Sequence, residues 1–380
     1  MKRVLIISFS DLAADPRVDR QIGFLKDRYE IVAAGFAPPR FPVEEFIDIT
    51  TPPRTKLGHL VDLSRFATRR YEDVYWKRPA NVAVFERLTQ VRADVVVAND
   101  LPALPIALRL GLPVVFDAHE YTPEQYADRR AWRAVSAPNV RWQVRRYVPQ
   151  VAAMLTVSPA IADAYERATG VRATVVTNAP PYHDLRPTPV HEPVRILHHG
   201  AASPGRGLEE MIRLADLLDS RFTLDFVLME SSPGYRDQLI RRARGKRRIQ
   251  FPRPQPMHTL VHMANDYDIG LYSLPSVNLN RRYALPNKFF EFIQGRLAVA
   301  IGPSPEMARI VHQYGCGIVA DDFAPETLAA ALNALDDSAI AAFKQASDAA
   351  ARELCAEKNA ELVLGAVEAA LLGRTSKLEG

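Results

Sequence analysis

The chain has 380 residues, 48% hydrophobic and 24% charged, with 48 Lys+Arg against 44 Asp+Glu and a formal net charge of +4. That length suits two ordinary α/β cores, and the balance excludes a disordered, collagenous or coiled-coil chain. No apolar run reaches the ~18 to 20 residues that cross a bilayer, and Met1-Lys2-Arg3 leads into a stretch too short for a signal peptide, which points to the cytoplasm.

The first half alternates short β-rich runs with longer amphipathic segments, the pattern of parallel-sheet α/β domains. Strands are predicted at Val4–Ser8, Ile31–Gly35, Val95–Ala98, Val114–Asp117, Leu155–Ser158 and Thr174–Thr177. Helices are predicted between them, as at Leu101–Leu110 and Pro159–Thr169, the latter with Ser158 as its cap. Residues 1–190 hold 26 Lys+Arg and 21 Asp+Glu, hence +5; residues 191–380 hold 22 and 23, hence −1. The excess is local, in a stretch from Arg54 to Arg87 and in Arg129–Arg146, where six arginines and no acid accompany Trp132 and Trp142. No nucleic-acid-binding motif goes with these stretches. An anionic membrane surface or an anionic acceptor is the expected partner, not nucleic acid.

Three prolines between Arg186 and Pro193 can continue neither regular element, so a linker is placed at residues 186–193. Strands then restart at Ile196–His199, Leu224–Leu228, Ile249–Phe251, Ile269–Tyr272, Ala298–Ile301 and Gly317–Val319. Helices are predicted at Gly207–Leu218, Pro233–Arg244, Met257–Asn265, Asn287–Gln294, Glu306–Tyr314 and Pro325–Leu335, and almost throughout Ser338–Leu372. The expected organisation is a domain over 1–185, the linker, a second domain over 194–355 and a closing helix over 356–374. Cys316 and Cys355 lack any zinc-site spacing and read as structural thiols. His258 and His262 stand four apart, but Thr259 sits where a zinc-protease motif needs glutamate, so no metal site is expected. His198 and His199 read as structural. Thr375–Gly380 reads as an appended tail.

Several motifs occur in order along the chain. Ser8-Phe9-Ser10 leads to Asp15-Pro16-Arg17-Val18, followed by Val95 to Pro105, then Asp117-Ala118-His119-Glu120, Val157-Ser158 and Thr177-Asn178-Ala179-Pro180. The second half has His199-Gly200-Ala201-Ala202-Ser203-Pro204-Gly205-Arg206-Gly207, then Pro286-Asn287-Lys288-Phe289-Phe290-Glu291 and Gly295. In this order the sequence resembles the family 4 glycosyltransferases. The resemblance implies the GT-B architecture, two Rossmann-like α/β domains facing each other across a cleft, with the closing helix returning to the first domain. It also implies transfer of a sugar from a UDP- or GDP-linked donor, with retention and without metal or cofactor. The first domain would hold a glycan or lipid-linked acceptor, and the second the donor.

A nucleotide-sugar reaction develops negative charge on the departing diphosphate, which a metal-independent site must neutralise with cations and helix amino termini. The loop from Gly200 to Gly207 offers Gly205 for backbone approach and Arg206 as a charge. Pro286-Asn287-Lys288 opens a helix and sets Lys288 beside unsatisfied amides. By resemblance, Glu291 grips the ribose hydroxyls and His119 contacts the donor sugar, making His119, Arg206 and Lys288 the candidate catalytic residues. Phe251 and Arg253 match the nucleobase loop. Asp15, Arg17, Asp100, Asp117 and Glu120 join His119 as the candidate acceptor or sugar pocket.

The chain also departs from the family pattern. Ala201 stands where the family has arginine, and Arg206 where it usually has lysine. Tyr283 replaces the glutamate eight before Glu291, and Ala284-Leu285-Pro286 replaces a Gly-Phe-Gly loop. Two alternatives stay open at this point: a GT-B sugar-nucleotide epimerase, and a non-catalytic GT-B shell that binds a glycan or partner.

Overall fold

The computed structural model describes residues 1–53 and 55–373. Arg54 of the first basic stretch, residue 374 of the expected closing helix and the tail Thr375–Gly380 lie outside the described residues. The chain forms two compact units; the first comprises Met1–Thr177, Asn278–Asn280 and the chain from Asn359 on, and the second Asn178–Val277 and Arg281–Lys358.

In the first unit, β1 (Arg3–Ile7), α1 (Pro16–Leu25), β2 (Glu30–Gly35) and β3 (Glu45–Asp48) are followed by α2 (Lys56–Ala67), α3 (Tyr71–Trp76) and α4 (Pro79–Leu88). Then come β4 (Val95–Asn99), α5 (Asp100–Arg109), β5 (Val114–Ala118), α6 (Arg130–Tyr147), β6 (Ala153–Thr156), α7 (Pro159–Thr169) and β7 (Thr174–Val175). The seven strands lie in the order β3-β2-β1-β4-β5-β6-β7, and every pairing is parallel. Continuous Val, Ile and Ala runs in β1, β2, β4 and β5 suit a sheet covered on both faces. Val4, Ile6, Val95 and Val97 pack with Val18 and Ile22 of α1 and with Val363, Val367 and Ala370 near the chain's end. β3 was not among the predicted strands, because a four-residue edge strand of half-exposed residues carries no apolar run.

The second unit holds β8 (Val194–Ala202), α8 (Leu208–Leu217), β9 (Phe222–Glu230), α9 (Tyr235–Arg242), β10 (Ile249–Gln250), α10 (Leu260–Ala264) and β11 (Ile269–Tyr272). After α11 (Leu279–Arg282), which shares residues with both units, come α12 (Asn287–Gln294), β12 (Ala298–Ile301), α13 (Pro305–Tyr314), β13 (Gly317–Val319), α14 (Pro325–Asn333) and α15 (Asp337–Ala351). The final helix, α16 (Ala356–Leu371), lies in the first unit from Asn359 on. The strand order is β10-β9-β8-β11-β12-β13, again all parallel. Successive residues of β8 serve opposite faces: Ile196 packs with Leu208 and Phe226, Leu197 with Phe289 and Phe292.

Three expectations need correction. β8 runs three residues past His199, because His199, Gly200, Ala201 and Ala202 remain in register with Val227 to Glu230 of β9; Gly200 is therefore a strand residue and the loop is shorter. Ser158 occupies the cap position of α7 but makes no capping hydrogen bond, and its hydroxyl is buried without a partner among the described residues. The helix expected over Ser338–Leu372 is two helices, parted where Ala356 N donates to the Pro180 carbonyl at 2.8 Å.

The second unit also begins at Asn178, eight residues before the proline-rich segment. That segment is tied to its own unit by buried polar groups. Lys344 Nζ donates to Thr188 Oγ1 (2.9 Å) and Asp268 Oδ1 (2.8 Å), and Asp268 takes the His191 N–H as well.

Candidate functional site

In the first unit the polar residues gather at the carboxyl ends of adjacent strands β1, β4 and β5, where open parallel sheets bind ligands. Asp15 caps α1, accepting from Arg17 N and Val18 N, while its other oxygen takes the Ser10 hydroxyl at 3.1 Å. Arg17 forms a two-pronged bond to Asp117, at 3.0 Å through Nε and 2.6 Å through Nη2, and both side chains are buried. Arg17 Nη1 also donates to the Val176 carbonyl at 2.8 Å.

From Asp117 a chain of hydrogen bonds fixes every donor. The carboxylate only accepts, so Gln21 Nε2 donates to it (3.0 Å) and Gln21 Oε1 takes Asn99 Nδ2 (2.9 Å). Asn99 Oδ1 is left to accept from His119 Nε2 at 3.1 Å, which puts a proton on that nitrogen. His119 Nδ1 lies 3.2 Å from Asp100 Oδ2, and the His119 N–H donates to Asp100 Oδ1 at 3.0 Å. The imidazole is held on both sides, with a fifth of its surface open. Asp100 has φ 60°, a left-handed backbone that is costly for a non-glycine residue and tends to occur at functional sites. Glu120 bonds Gln125, and burial followed by the nearby Asp100 charge raises its carboxyl above the usual range.

Of the acceptor-side candidates, His119, Asp100 and Glu120 line up at the strand ends. Asp15 is engaged in a helix cap and Arg17 and Asp117 with each other, and these bonds support the network that orients His119. Gln21 and Asn99, which complete that network, were missed; a Gln inside a helix and an Asn closing an apolar strand carry no distinguishing pattern.

In the second unit the site forms around α12. Lys288 and Glu291 are 9% and 8% exposed on a helix whose other residues, from Phe289 to Gln294, are also buried. Gly200 faces Lys288: a β-carbon there would stand 2.7 Å from Nζ, and the glycine's φ of 134° is one other residues rarely adopt. Lys288 makes no ion pair with a carboxylate among the described residues. Its polar neighbour is His198 Nε2 at 3.4 Å, and Nζ lies 5.3 Å from the Tyr272 ring. Burial, then the positive Arg206, lowers the ammonium to about 7, against a partial opposing pull from Glu291.

His199 is also lowered, to about 3, by burial and then Lys288. It therefore stays neutral, its Nε2 3.4 Å from Glu291 Oε2 without hydrogen-bonding geometry. Arg206 is exposed, between Gly205 and Gly207, both in left-handed conformations just before α8. Asn287 opens α12 after Pro286, with no side-chain cap on the helix's first amides. Phe251 stacks on Phe226 (5.3 Å, 17°) and packs against the core, while Arg253 is exposed beyond β10. The structure thus gathers Gly200, Lys288 and Glu291, with the Arg206 charge acting on Lys288, and adds His198 and His199. The sequence alone gives those two a structural reading; their place at a strand's carboxyl end beside Gly200 is the signal that sets them apart.

Because the unfolded chain keeps Lys288 protonated up to about pH 10.4, the folded unit binds fewer protons between about 7 and 10. Stability should rise with pH across that window, by up to about 1.4 kcal/mol per pH unit. Lys288→Met should flatten the rise in a thermal-denaturation series, and an unchanged slope would contradict the buried-cation description.

Residues 27–181 match the glycosyl transferase 4-like domain. No curated protein matches the sequence. Among solved structures, HepE from Anabaena in complex with UDP-glucose is similar at 16% identity and TM-score 0.70, over 97% of this chain and 100% of that one. The α,α-trehalose-phosphate synthase (UDP-forming) of Burkholderia vietnamiensis is similar at 13% identity and TM-score 0.64, over 97% and 100%. WaaG, a glycosyltransferase involved in lipopolysaccharide biosynthesis, is similar at 14% identity and TM-score 0.64, over 96% and 100%. These findings agree with the resemblance to the family 4 glycosyltransferases. The chain has the GT-B fold of two Rossmann-like parallel-sheet domains, with a glycosyl transferase 4-like domain over residues 27–181.

Proposed function

We propose that the chain is a glycosyltransferase that moves a sugar from a UDP- or GDP-linked donor to a glycan or lipid-linked acceptor. The observation that carries this reading is Lys288, a buried cation at the amino terminus of α12 with no carboxylate in ion-pair range among the described residues, facing the strand residue Gly200. Such a group stabilises an anion that arrives with the substrate. The complexes of HepE with UDP and with UDP-glucose support a nucleotide-sugar donor here too. Lys288, Arg206 and the first amides of α12 would take the diphosphate, on which charge grows as the glycosidic bond breaks. The leaving diphosphate would help remove the acceptor proton, with retention and without metal or cofactor, as the family resemblance implies. Glu291 would hold the ribose diol, and His119 the donor sugar. Glu291→Ala should raise KM for the donor roughly tenfold with little change in kcat, since ribose is bound alike before and during reaction. Steady-state kinetics checks this; a fall in kcat alone would remove Glu291 from the ribose.

The acceptor side of the reading includes an anionic membrane surface. No helix among the described residues is long and apolar enough to cross a membrane. A groove of about 780 Å³ between α2 and α6 has Leu63, Phe66 and Trp142 in its lining and Arg69, Arg141 and Arg145 beside them. Within the two basic stretches, Arg65 and Arg78 pair with the buried Asp62, Arg70 and Lys77 with Asp73, and Arg141 with Glu124. The contact is therefore assigned to the other arginines of Arg129–Arg146 with Arg69. Each basic residue at an anionic surface contributes on the order of 1 kcal/mol. Liposome co-sedimentation should show binding to vesicles with anionic lipid and not to neutral ones; equal binding to both, or to neither, would remove the membrane from the account.

A further inference from the structure

We propose that His198 is the positioning residue for Lys288: its Nε2 lone pair holds the ammonium beside Gly200 so that the charge is in place when a diphosphate arrives. This rests on the donor-site reading above and adds a residue that reading does not use.

β8 and β11 pair at Ile196↔Ile269 and Leu197↔Gly270, and the ladder stops there. The next residue of β8, His198, reaches across with its side chain and donates from Nδ1 to the Leu271 carbonyl at 2.9 Å. A carbonyl oxygen only accepts, so the ring proton is on Nδ1 and Nε2 carries the lone pair. The ring is 2% exposed and lies 5.9 Å from Phe226, so its orientation is set by packing. Nε2 is then aimed at Lys288 Nζ, 3.4 Å away. Burial, followed by the Lys288 charge, holds the imidazole well below its usual range, so it stays an acceptor.

The other charged or titratable groups around Lys288 do not do this. Arg206, before α8, repels the ammonium, as the direction of its effect on Lys288 shows. Glu291, one turn further along α12, attracts it from beyond ion-pair range, and Tyr272 of β11 presents its ring face. His199, next along β8, lies by Glu291. A lysine ammonium has three donors and a long flexible stem, so one fixed acceptor decides where it waits. The acceptor is weak enough to be exchanged for phosphate oxygens. Lone-pair donation also favours the protonated form of Lys288, the form that attracts phosphate.

The test uses UDP as the probe and the full chain, with calorimetric affinity measured from pH 6 to 9. In the wild-type protein the affinity should fall by up to tenfold per pH unit above a midpoint near the Lys288 value of about 7, with proton uptake on binding. His198→Asn keeps a donor for Leu271 but removes Nε2. It should weaken UDP binding at pH 7 roughly tenfold and move the midpoint to lower pH. His198→Gln, which can return an acceptor to that place, should recover most of both. A purely structural histidine would lower the melting temperature in the variants without moving the midpoint. If His198→Asn and His198→Gln both bind UDP with the wild-type pH profile, the positioning role is overturned and the donor site stands. A wild-type protein that binds UDP with no pH dependence between 6 and 9 would also overturn it. Failure of the wild-type protein to bind any nucleotide diphosphate would overturn the donor-site reading itself, and this inference with it.

Discussion

Lys288→Ala is expected to lower kcat about 100-fold, equivalent to about 2.7 kcal/mol of transition-state stabilisation, while weakening donor binding much less. The asymmetry follows from when the charge appears. In the proposed ground state the diphosphate would already be solvated and partly held by helix amides and Arg206. As the bond to the sugar broke, negative charge would build on the oxygen nearest the buried ammonium, where little water would compete. Ala201 occupies the place of an arginine usual in the family, so the remaining cations carry more of that task. Arg206 is exposed and should matter less than Lys288, with a loss nearer tenfold on Arg206→Ala. Single-turnover rates and donor affinities measured on both variants separate the two effects. Near-normal turnover in both would make the non-catalytic shell the better reading.

Asp117→Ala is expected to destabilise the protein by about 3–5 kcal/mol, because it strips the buried Arg17 guanidinium of its two-pronged carboxylate. Thermal or urea unfolding checks the figure. The double variant Arg17→Met, Asp117→Leu should recover much of the loss, since it removes both charges instead of leaving one behind. It should not recover activity. Asp117 also anchors the run through Gln21 and Asn99 to His119, so without it Asn99, the partner that fixes the imidazole's tautomer, loses its own support. A single variant within 0.5 kcal/mol of the wild-type protein would contradict this description of the pair.

The elements legible from the sequence were those whose burial is written as apolar runs. β4 and β5 are both buried throughout, as Val-rich stretches between turns predict. β3 and the helices α2 to α4 were not placed, because their residues are partly exposed and their amphipathic pattern is weak. In the site, Lys288 and Glu291 could be read because a charged pair inside Asn-Lys-Phe-Phe-Glu-Phe-Ile breaks an otherwise apolar helix. The pairing of Arg17 with Asp117 could not: the two are 100 positions apart, and only the parallel order β1-β4-β5 brings α1 to the end of β5. For the same reason the sequence does not show that the Arg17 and Asp117 side chains hold one another. His198 is not legible in the sequence, because a histidine inside a strand looks like core until its two nitrogens have partners.

The most direct test of the central claim is to incubate the protein with a panel of UDP-, GDP-, ADP- and dTDP-sugars and follow both free nucleotide and sugar isomers. The account predicts slow release of nucleotide diphosphate from a UDP- or GDP-linked donor even without acceptor, abolished by Lys288→Ala. Conversion of the donor to an isomeric sugar would contradict transfer in favour of epimerisation, and nucleotide binding with no turnover of any donor would contradict catalysis altogether.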